Sequence, residues 1–130
     1  MKARNFKKNW TESPIKDILQ ELKEGLQKRY GSKLKRIMLF GSYARGEQRS
    51  GSDVDVAIIL EDFSHACAEI ERTADIVSSI SLKLDTLISL VPIKEEDWYK
   101  RKTSLVSNIR RDGGGIYVKE EYMLLRGSDS

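Results

Sequence analysis

The sequence predicts an α/β (α+β) fold in which helices flank a small mixed sheet. The chain has 130 residues, a length that suits one domain. Short apolar runs typical of buried strands alternate with longer segments whose apolar residues recur at helical spacing. The predicted order is helix, strand, turn, strand, helix, strand, helix, which is typical of a small sheet covered by helices.

The first half of the chain is predicted to form one helix and two strands. Ser13 and Pro14 start the helix, because serine caps helix N-termini and proline is favoured at the first helical position. Gly31 ends this helix, and strands follow over residues 37–40 and 53–60, joined by a segment with a turn and one helical turn. The apolar residues that recur along the helix are Ile15, Ile18, Leu19, Leu22 and Leu26.

The second half of the chain is predicted to form two helices and two strands. The predicted ranges are 68–82 for a helix, 84–91 for a strand, 95–111 for a helix and 116–118 for a short edge strand. Pro92 stops the first of these strands, and the glycines at 113–115 break the last helix. The apolar stripe of the helix over 68–82 is formed by Ile70, Ala74, Val77 and either Ile80 or Ser81.

Composition limits the chemistry that this chain can carry. Its single cysteine, Cys67, and single histidine, His65, exclude disulfide scaffolds and Cys/His zinc sites within one chain. The net charge of +3 is a mild bias and does not indicate direct binding to nucleic acid. No apolar stretch approaches the length of a membrane span, and the basic N-terminus lacks an apolar signal core, so we expect a cytoplasmic protein. The polar residues 1–12 and 119–130 are predicted as an arm and a tail around a domain over 13–118.

A Gly-Ser turn and an Asp-x-Asp pair carry the candidate chemistry. The turn is Gly41-Ser42, and ten residues separate it from the pair formed by Asp53 and Asp55. Residues two apart on a strand point to the same face, so these carboxylates repel one another unless a cation lies between them. Mg²⁺ suits this position, because it is usually held by one or two carboxylates together with substrate phosphates. The pattern therefore predicts a nucleoside triphosphate held on magnesium.

Neighbouring residues extend the predicted site. A site for two metal ions needs a third carboxylate from a nearby strand, and Asp85 opens the predicted third strand. Glycine in the turn allows close backbone approach, while the serine hydroxyl, nearby amides and an arginine can bind phosphate oxygens. A Walker A loop does not fit, because its Gly-Lys-Ser/Thr ending is missing. The candidate nucleotide-binding residues are Gly41, Ser42, Arg45 and Ser52, and the candidate catalytic and metal-binding residues are Asp53, Asp55 and Asp85.

These residues resemble the minimal nucleotidyltransferases of the DNA polymerase beta superfamily. The resemblance runs from about residue 34 to residue 91, and more loosely to residue 118. A lone domain of this length with Gly41-Ser42, ten further residues and Asp53-x-Asp55 is similar to the MntA antitoxins, the partners of HEPN-domain toxins. The resemblance implies a nucleotidyltransferase (polymerase-beta-like) fold.

The resemblance also implies an activity: Mg²⁺-dependent transfer of AMP from ATP to a tyrosine hydroxyl of the toxin, an RNase that is silenced by the modification. In the implied mechanism, Asp53 and Asp55 hold two Mg²⁺ ions, and Asp85 joins the catalytic ion and helps to accept the hydroxyl proton. Ser42 and the Gly41 turn hold the β- and γ-phosphates. The expected partners are a nucleoside triphosphate and a cognate HEPN toxin, with assembly as a homo-oligomer or as a complex with the toxin.

Two alternatives remain open from the sequence. A nucleotidyltransferase that modifies a small molecule such as an antibiotic would carry the same motif. A non-catalytic antitoxin that neutralises its partner by binding alone would keep the fold and would tolerate loss of the aspartates.

Overall fold

The computed structural model describes residues 15–47, 53–100 and 103–112 together with the backbone of residues 114–118. The elements are α1 (Ile15–Tyr30), a 3₁₀ turn (Gly31–Lys33), β1 (Leu34–Phe40), α2 (Ser42–Arg45), β2 (Val54–Leu60), α3 (Ala66–Leu84), β3 (Ile88–Lys94), α4 (Glu95–Lys100), α5 (Ser104–Asp112) and β4 (Gly114–Val118). The four strands form one sheet in the order β3-β2-β1-β4. This architecture confirms the predicted small mixed sheet with flanking helices.

Strand β1 lies in the interior of the sheet, and its two neighbouring strands determine which residues lie beside its C-terminal end. It pairs antiparallel with β2, which places Phe40 opposite Asp55. It also pairs antiparallel with β4, which places Leu39 opposite Gly114. On the other side of β2, strand β3 runs parallel to it, with Ser89 opposite Asp55. The end of β1, the start of β2 and the start of β4 therefore lie at the same end of the sheet.

Both faces of the sheet are covered, and the core consists of two apolar clusters. The cluster on the side of α1 and α3 includes Leu22, Leu26, Val54, Val56, Ile58, Leu60 and Ile80. The cluster on the side of α4 and α5 is formed by Met38, Ala57, Ile59, Ile93, Trp98, Val106 and Ile109. The apolar face predicted for α1 is confirmed, because all five of its residues are buried. In β2 one face is formed by buried apolar residues, and Asp55 lies on the opposite face, in alternation with Ala57 and Ile59.

The apolar stripe predicted for α3 is only partly correct. The buried residues of this helix are Glu69, Thr73 and Ile80, whereas Ile70 is 47% exposed. Glu69 is tolerated inside because the Tyr30 hydroxyl donates a hydrogen bond of 2.8 Å to its carboxylate. The residues that line a shallow groove of about 160 Å³ between α3 and β3 are Ile70, Thr73, Ala74, Val77, Ser78, Ile88 and Leu90. The predicted stripe thus faces the edge strand more than it faces α1.

The third strand begins and ends later than predicted. Helix α3 runs on to Leu84, and Asp85 ends it in the left-handed conformation, with φ 52° and ψ 49°. Aspartate tolerates this conformation better than most residues, so Asp85 forms a turn at the end of α3 and does not start a strand. Pro92 lies inside β3 and does not stop it. Proline is compatible with this position because β3 lies at the edge of the sheet that the described residues form, and edge strands accept proline.

The predicted single helix over 95–111 is two helices, α4 and α5. The Val106 N–H donates a hydrogen bond of 3.1 Å to the Thr103 side-chain oxygen, which caps the start of the second helix. Trp98 on α4 is buried. The short strand predicted at 116–118 is confirmed as β4, which begins two residues earlier.

Several predicted features lie outside the described residues, namely the N-cap at Ser13-Pro14, the arm over 1–12 and the tail over 119–130. Within the part of the chain that the structure describes, no helix is long and apolar enough to cross a membrane.

Candidate nucleotide-binding site

The Gly-Ser turn is a tight connection between β1 and a single turn of helix. Gly41 adopts φ 76° and ψ −155°, a backbone conformation that is essentially restricted to glycine. The Arg45 N–H donates a hydrogen bond of 3.1 Å to the Gly41 carbonyl and closes the turn. Gly46, with φ 72°, ends the short helix in the left-handed conformation. The glycines on either side of α2 are therefore what allows the chain to reverse here.

The turn lies directly against Asp55. A Cβ atom on Gly41 would stand 3.2 Å from Asp55 Cγ and 3.3 Å from Asp55 Cβ, and it would overlap with Oδ2. No side chain fits between the two residues. Glycine is thus required at this position for two independent reasons, its backbone conformation and the close approach of the carboxylate.

The carboxylates of Asp53 and Asp55 lie close enough to interact. Asp53 is exposed and Asp55 is half-buried. Burial raises the pKa of the Asp55 carboxyl group, the negative charge of Asp53 raises it further, and the nearby Arg45 guanidinium opposes both effects. The pair thus carries an excess of negative charge, and a hard divalent cation would compensate it.

The structure does not complete a three-carboxylate metal centre. Among the described residues, no three His, Cys, Asp or Glu side chains are grouped so that they could hold a metal ion. Asp85 lies exposed in the turn after α3, three residues before β3, and the prediction that it opens this strand is wrong. Ser89 is the β3 residue that lies opposite Asp55 in the register. Asp53 and Asp55 with bound phosphates would match the usual ligand set of Mg²⁺, so the donors present fit this ion.

Arg45 is held by two carboxylates. Its Nε–H donates to Glu47 Oε1 and its Nη1–H donates to Asp112 Oδ2, both at 2.9 Å. Hydrogen bonding to Glu47 is the largest effect that raises the pKa of Arg45, and the charge of Asp112 adds to it. The Asp112 Oδ2 atom also accepts a hydrogen bond of 3.2 Å from the Gly41 N–H. Sequence reasoning missed Asp112, because only the pairing of β4 with β1 brings it to this turn.

The predicted site residues thus have different outcomes. Gly41, Arg45, Asp53 and Asp55 meet at one end of the sheet, and Ser42 follows directly in the first turn of α2. Ser42 is half-buried, and its hydroxyl group has no hydrogen-bond partner among the residues that the structure describes. Ser52 lies outside the described residues.

The fold and this motif define the chain as a nucleotidyltransferase-type domain, and comparison with known proteins agrees. The sequence model described as nucleotidyltransferase domain matches residues 19–111, and the chain belongs to this family. A Methanocaldococcus jannaschii protein, named a candidate protein adenylyltransferase, is 36% identical over 99 residues, which cover 76% of this chain and 95% of that protein. The protein adenylyltransferase MntA of Thermococcus cleftensis is 32% identical over 74 residues, which cover 57% of this chain and 73% of that protein.

Solved structures share the fold. A Sulfolobus solfataricus protein described as a candidate nucleotidyltransferase superposes with a TM-score of 0.55 at 15% identity, covering 94% of this chain and 92% of that one. A chain from a toxin–antitoxin structure solved with AMP-PNP superposes with a TM-score of 0.53 at 24% identity, covering 83% of this chain and 80% of that one. At these identities the likeness establishes the fold of the sheet and its helices.

Proposed function

We propose that this chain is an antitoxin that transfers AMP from ATP, in the presence of Mg²⁺, to a tyrosine hydroxyl of a cognate HEPN-domain RNase toxin. The observation that carries the proposal is the Gly41 turn packed against Asp55 with Arg45 beside it, in a chain of the nucleotidyltransferase family. The names of the two archaeal relatives support AMP as the transferred group and a protein as the acceptor. The toxin–antitoxin structure with AMP-PNP supports a toxin as the partner.

The chain's own residues would bind and orient the reactants. Ser42 and Arg45 provide a hydroxyl and a guanidinium for the phosphate oxygens, in the short helix that follows the Gly41 turn. Asp53 and Asp55 would hold Mg²⁺, which when bound neutralises charge on the phosphates and favours in-line displacement. Most of the rate enhancement in such a site comes from positioning and electrostatic stabilisation.

The bond changes are simple. The tyrosine oxygen forms a bond to the α-phosphorus of ATP, and the bond between that phosphorus and the bridging oxygen of the β-phosphate breaks. Pyrophosphate leaves with the bonding electrons, and the hydroxyl proton passes to water or to a carboxylate of the site. The resemblance assigns Asp85 a part in accepting this proton. Asp85 lies in the turn after α3, and the rate of AMP transfer by the Asp85→Asn variant tests this assignment.

The test is intact-protein mass spectrometry of the toxin after incubation with this chain, ATP and Mg²⁺. We expect a gain of about 329 Da for each AMP group. Asp53→Ala and Asp55→Ala should lower the rate by more than about 100-fold. Asp17→Ala, which removes an exposed acid on α1, is the matched control and should leave the rate unchanged.

Each other outcome points to a different function. Tight binding of the toxin without any mass gain would refute transfer and favour neutralisation by contact alone. Neither complex nor mass gain would refute the toxin as acceptor and favour a small-molecule acceptor, such as an antibiotic.

A further inference from the structure

A buried carboxylate from the far end of the chain is fixed to the nucleotide site. The Asp112 side chain is only 6% exposed. Its Oδ2 atom accepts hydrogen bonds from the Gly41 N–H at 3.2 Å and from Arg45 Nη1 at 2.9 Å. Both donors belong to the turn between β1 and β2, 71 and 67 residues away in sequence.

The position of Asp112 is electrostatically unfavourable without these two donors. Asp112 is the last residue of α5, and the C-terminal end of a helix disfavours negative charge. A carboxylate that is removed from water also needs a charged or hydrogen-bonding partner. Arg45 and the Gly41 amide provide both, so the turn and the end of α5 stabilise each other.

The contact leaves Arg45 able to bind a further anion. A guanidinium group has about five N–H donors, and Glu47 and Asp112 use one each. The Arg45 side chain is 45% exposed, so its remaining donors are accessible to a ligand. The buried carboxylate of Asp112 thus fixes the direction of the guanidinium group without exhausting its hydrogen-bonding capacity, whereas the ion pair with the exposed Glu47 contributes little.

The Gly41 amide is in a different position. Its single N–H donates to Asp112, so it is occupied as long as this contact persists. The contact holds the backbone of the turn at the point where it approaches Asp55. Asp112 therefore acts on both parts of the predicted phosphate-binding residues, the backbone and the arginine.

We propose that Asp112 is a positioning residue of the nucleotide site, which holds the Gly41 turn and the Arg45 guanidinium in the arrangement that receives the triphosphate. The inference rests on the proposed function, because it assigns Asp112 to the site where the nucleotide would bind. It makes the C-terminal end of α5 a part of nucleotide binding.

The test compares Asp112→Asn with Glu47→Gln. Asparagine keeps the shape of the side chain and can still accept from the Gly41 amide, but it loses the charge that pairs with Arg45. Glu47→Gln removes the charge of the other, exposed partner of the same arginine, whose side chain is 63% exposed. The measurement is the affinity for Mg²⁺–AMP-PNP by titration calorimetry, followed by KM and kcat for AMP transfer.

For Asp112→Asn we expect nucleotide affinity to weaken about tenfold, because the charge-assisted hydrogen bond to Arg45 has one partner that is only 6% exposed, whereas both partners of the Arg45–Glu47 pair are exposed. The KM for ATP should rise by a similar factor, with kcat within about threefold. Glu47→Gln should change both by less than about twofold. In an Arg45→Ala background, Asp112→Asn should have no further effect on affinity, because the two residues act as a pair.

Several results would overturn the inference. Unchanged affinity in a folded Asp112→Asn variant would show that the contact does not matter for the nucleotide. Tighter binding would show that Asp112 competes with the phosphates for the same donors, and additive effects with Arg45→Ala would show that it does not act through the arginine.

The inference and the proposed function can fail separately. A wild-type chain that binds Mg²⁺–AMP-PNP but transfers no AMP would refute the proposed function, and the comparison of affinities would still decide the role of Asp112. A wild-type chain without any nucleotide affinity would refute both.

Discussion

The substitution Gly41→Ala tests the geometry on which the site depends. Glycine at this position has φ 76° and ψ −155°, and its α-carbon faces the Asp55 carboxylate. Alanine would introduce two separate costs, an unfavourable backbone conformation and a steric overlap with Asp55. Both costs apply to the folded state, so the free energy of unfolding should fall.

The size of the effect follows from these two costs. A residue other than glycine in this backbone region costs about 1–3 kcal/mol. The new Cβ would lie 3.2 Å from Asp55 Cγ and would overlap with Oδ2, so the carboxylate must leave its rotamer, at about 0.5–1.5 kcal/mol. Alanine also restricts the unfolded chain, which offsets about 0.4–1 kcal/mol. We therefore expect a net loss of about 0.5–4 kcal/mol, or a fall in Tm of about 2–16 °C.

Urea denaturation of Gly41→Ala beside Gly31→Ala measures this effect. Gly31 also has a positive φ, 57°, but a Cβ there would meet no atom within 4 Å. Gly31→Ala should therefore cost only the backbone term, about 1 kcal/mol or less. Asp55→Ala in the Gly41→Ala background should recover the steric part. The reasoning is refuted if Gly41→Ala costs no more than Gly31→Ala, or if the double variant shows no recovery.

Three further outcomes follow from the structure. Burial and the charge of Asp53 raise the pKa of Asp55 above 3.8, so the stability contributed by its protonated form is complete below pH 3.8 and is lost as the pH rises through the raised pKa. Asp55→Asn should therefore have a higher Tm than wild type in EDTA at pH 7, and the difference in Tm should be smaller at pH 4. Asp85→Asn, in an exposed turn where asparagine also adopts the left-handed conformation, should lower the rate of AMP transfer by less than about tenfold, whereas a loss as large as that of Asp55→Ala would identify it as the third carboxylate. Tyr30→Phe, which removes the hydroxyl that donates to the buried Glu69, should lower the free energy of unfolding in urea by about 1–3 kcal/mol and leave the affinity for Mg²⁺–AMP-PNP unchanged.

The elements that could be predicted from the sequence are those specified by a local pattern. Helix α1 has an apolar residue at each helical position that faces the sheet, so the prediction of its buried face was correct. The alternation of residues around Asp55 was also sufficient to predict the face of β2 on which the carboxylates lie, because successive side chains of a strand point to opposite faces. The turn at Gly41 could be predicted because glycine and serine leave few alternatives between two strands.

The elements that were predicted wrongly depend on competition between local patterns or on tertiary contacts. The run around Asp85 is apolar enough for a strand, yet the helix before it continues until a left-handed residue ends it. Proline disrupts strands in the interior of a sheet, and Pro92 fits into β3 because β3 lies at the edge. The sequence does not show which strand lies at the edge. The partners of α3 likewise depend on which neighbours it packs against, so Ile70 is half exposed while Glu69 is buried.

The geometry of the nucleotide site is a property of the sheet order more than of the motif. Helix α2 has only four residues, too few to be stable by itself, so the turn must be fixed by contacts with the rest of the chain. The pairing of β1 with β2 brings Asp55 against Gly41, and the pairing of β1 with β4 brings Asp112 to the Gly41 amide and to Arg45. These contacts come from two different neighbours of one interior strand. A substitution that shifts either neighbour should therefore alter the geometry of the phosphate-binding turn, even when the residues of the motif are unchanged.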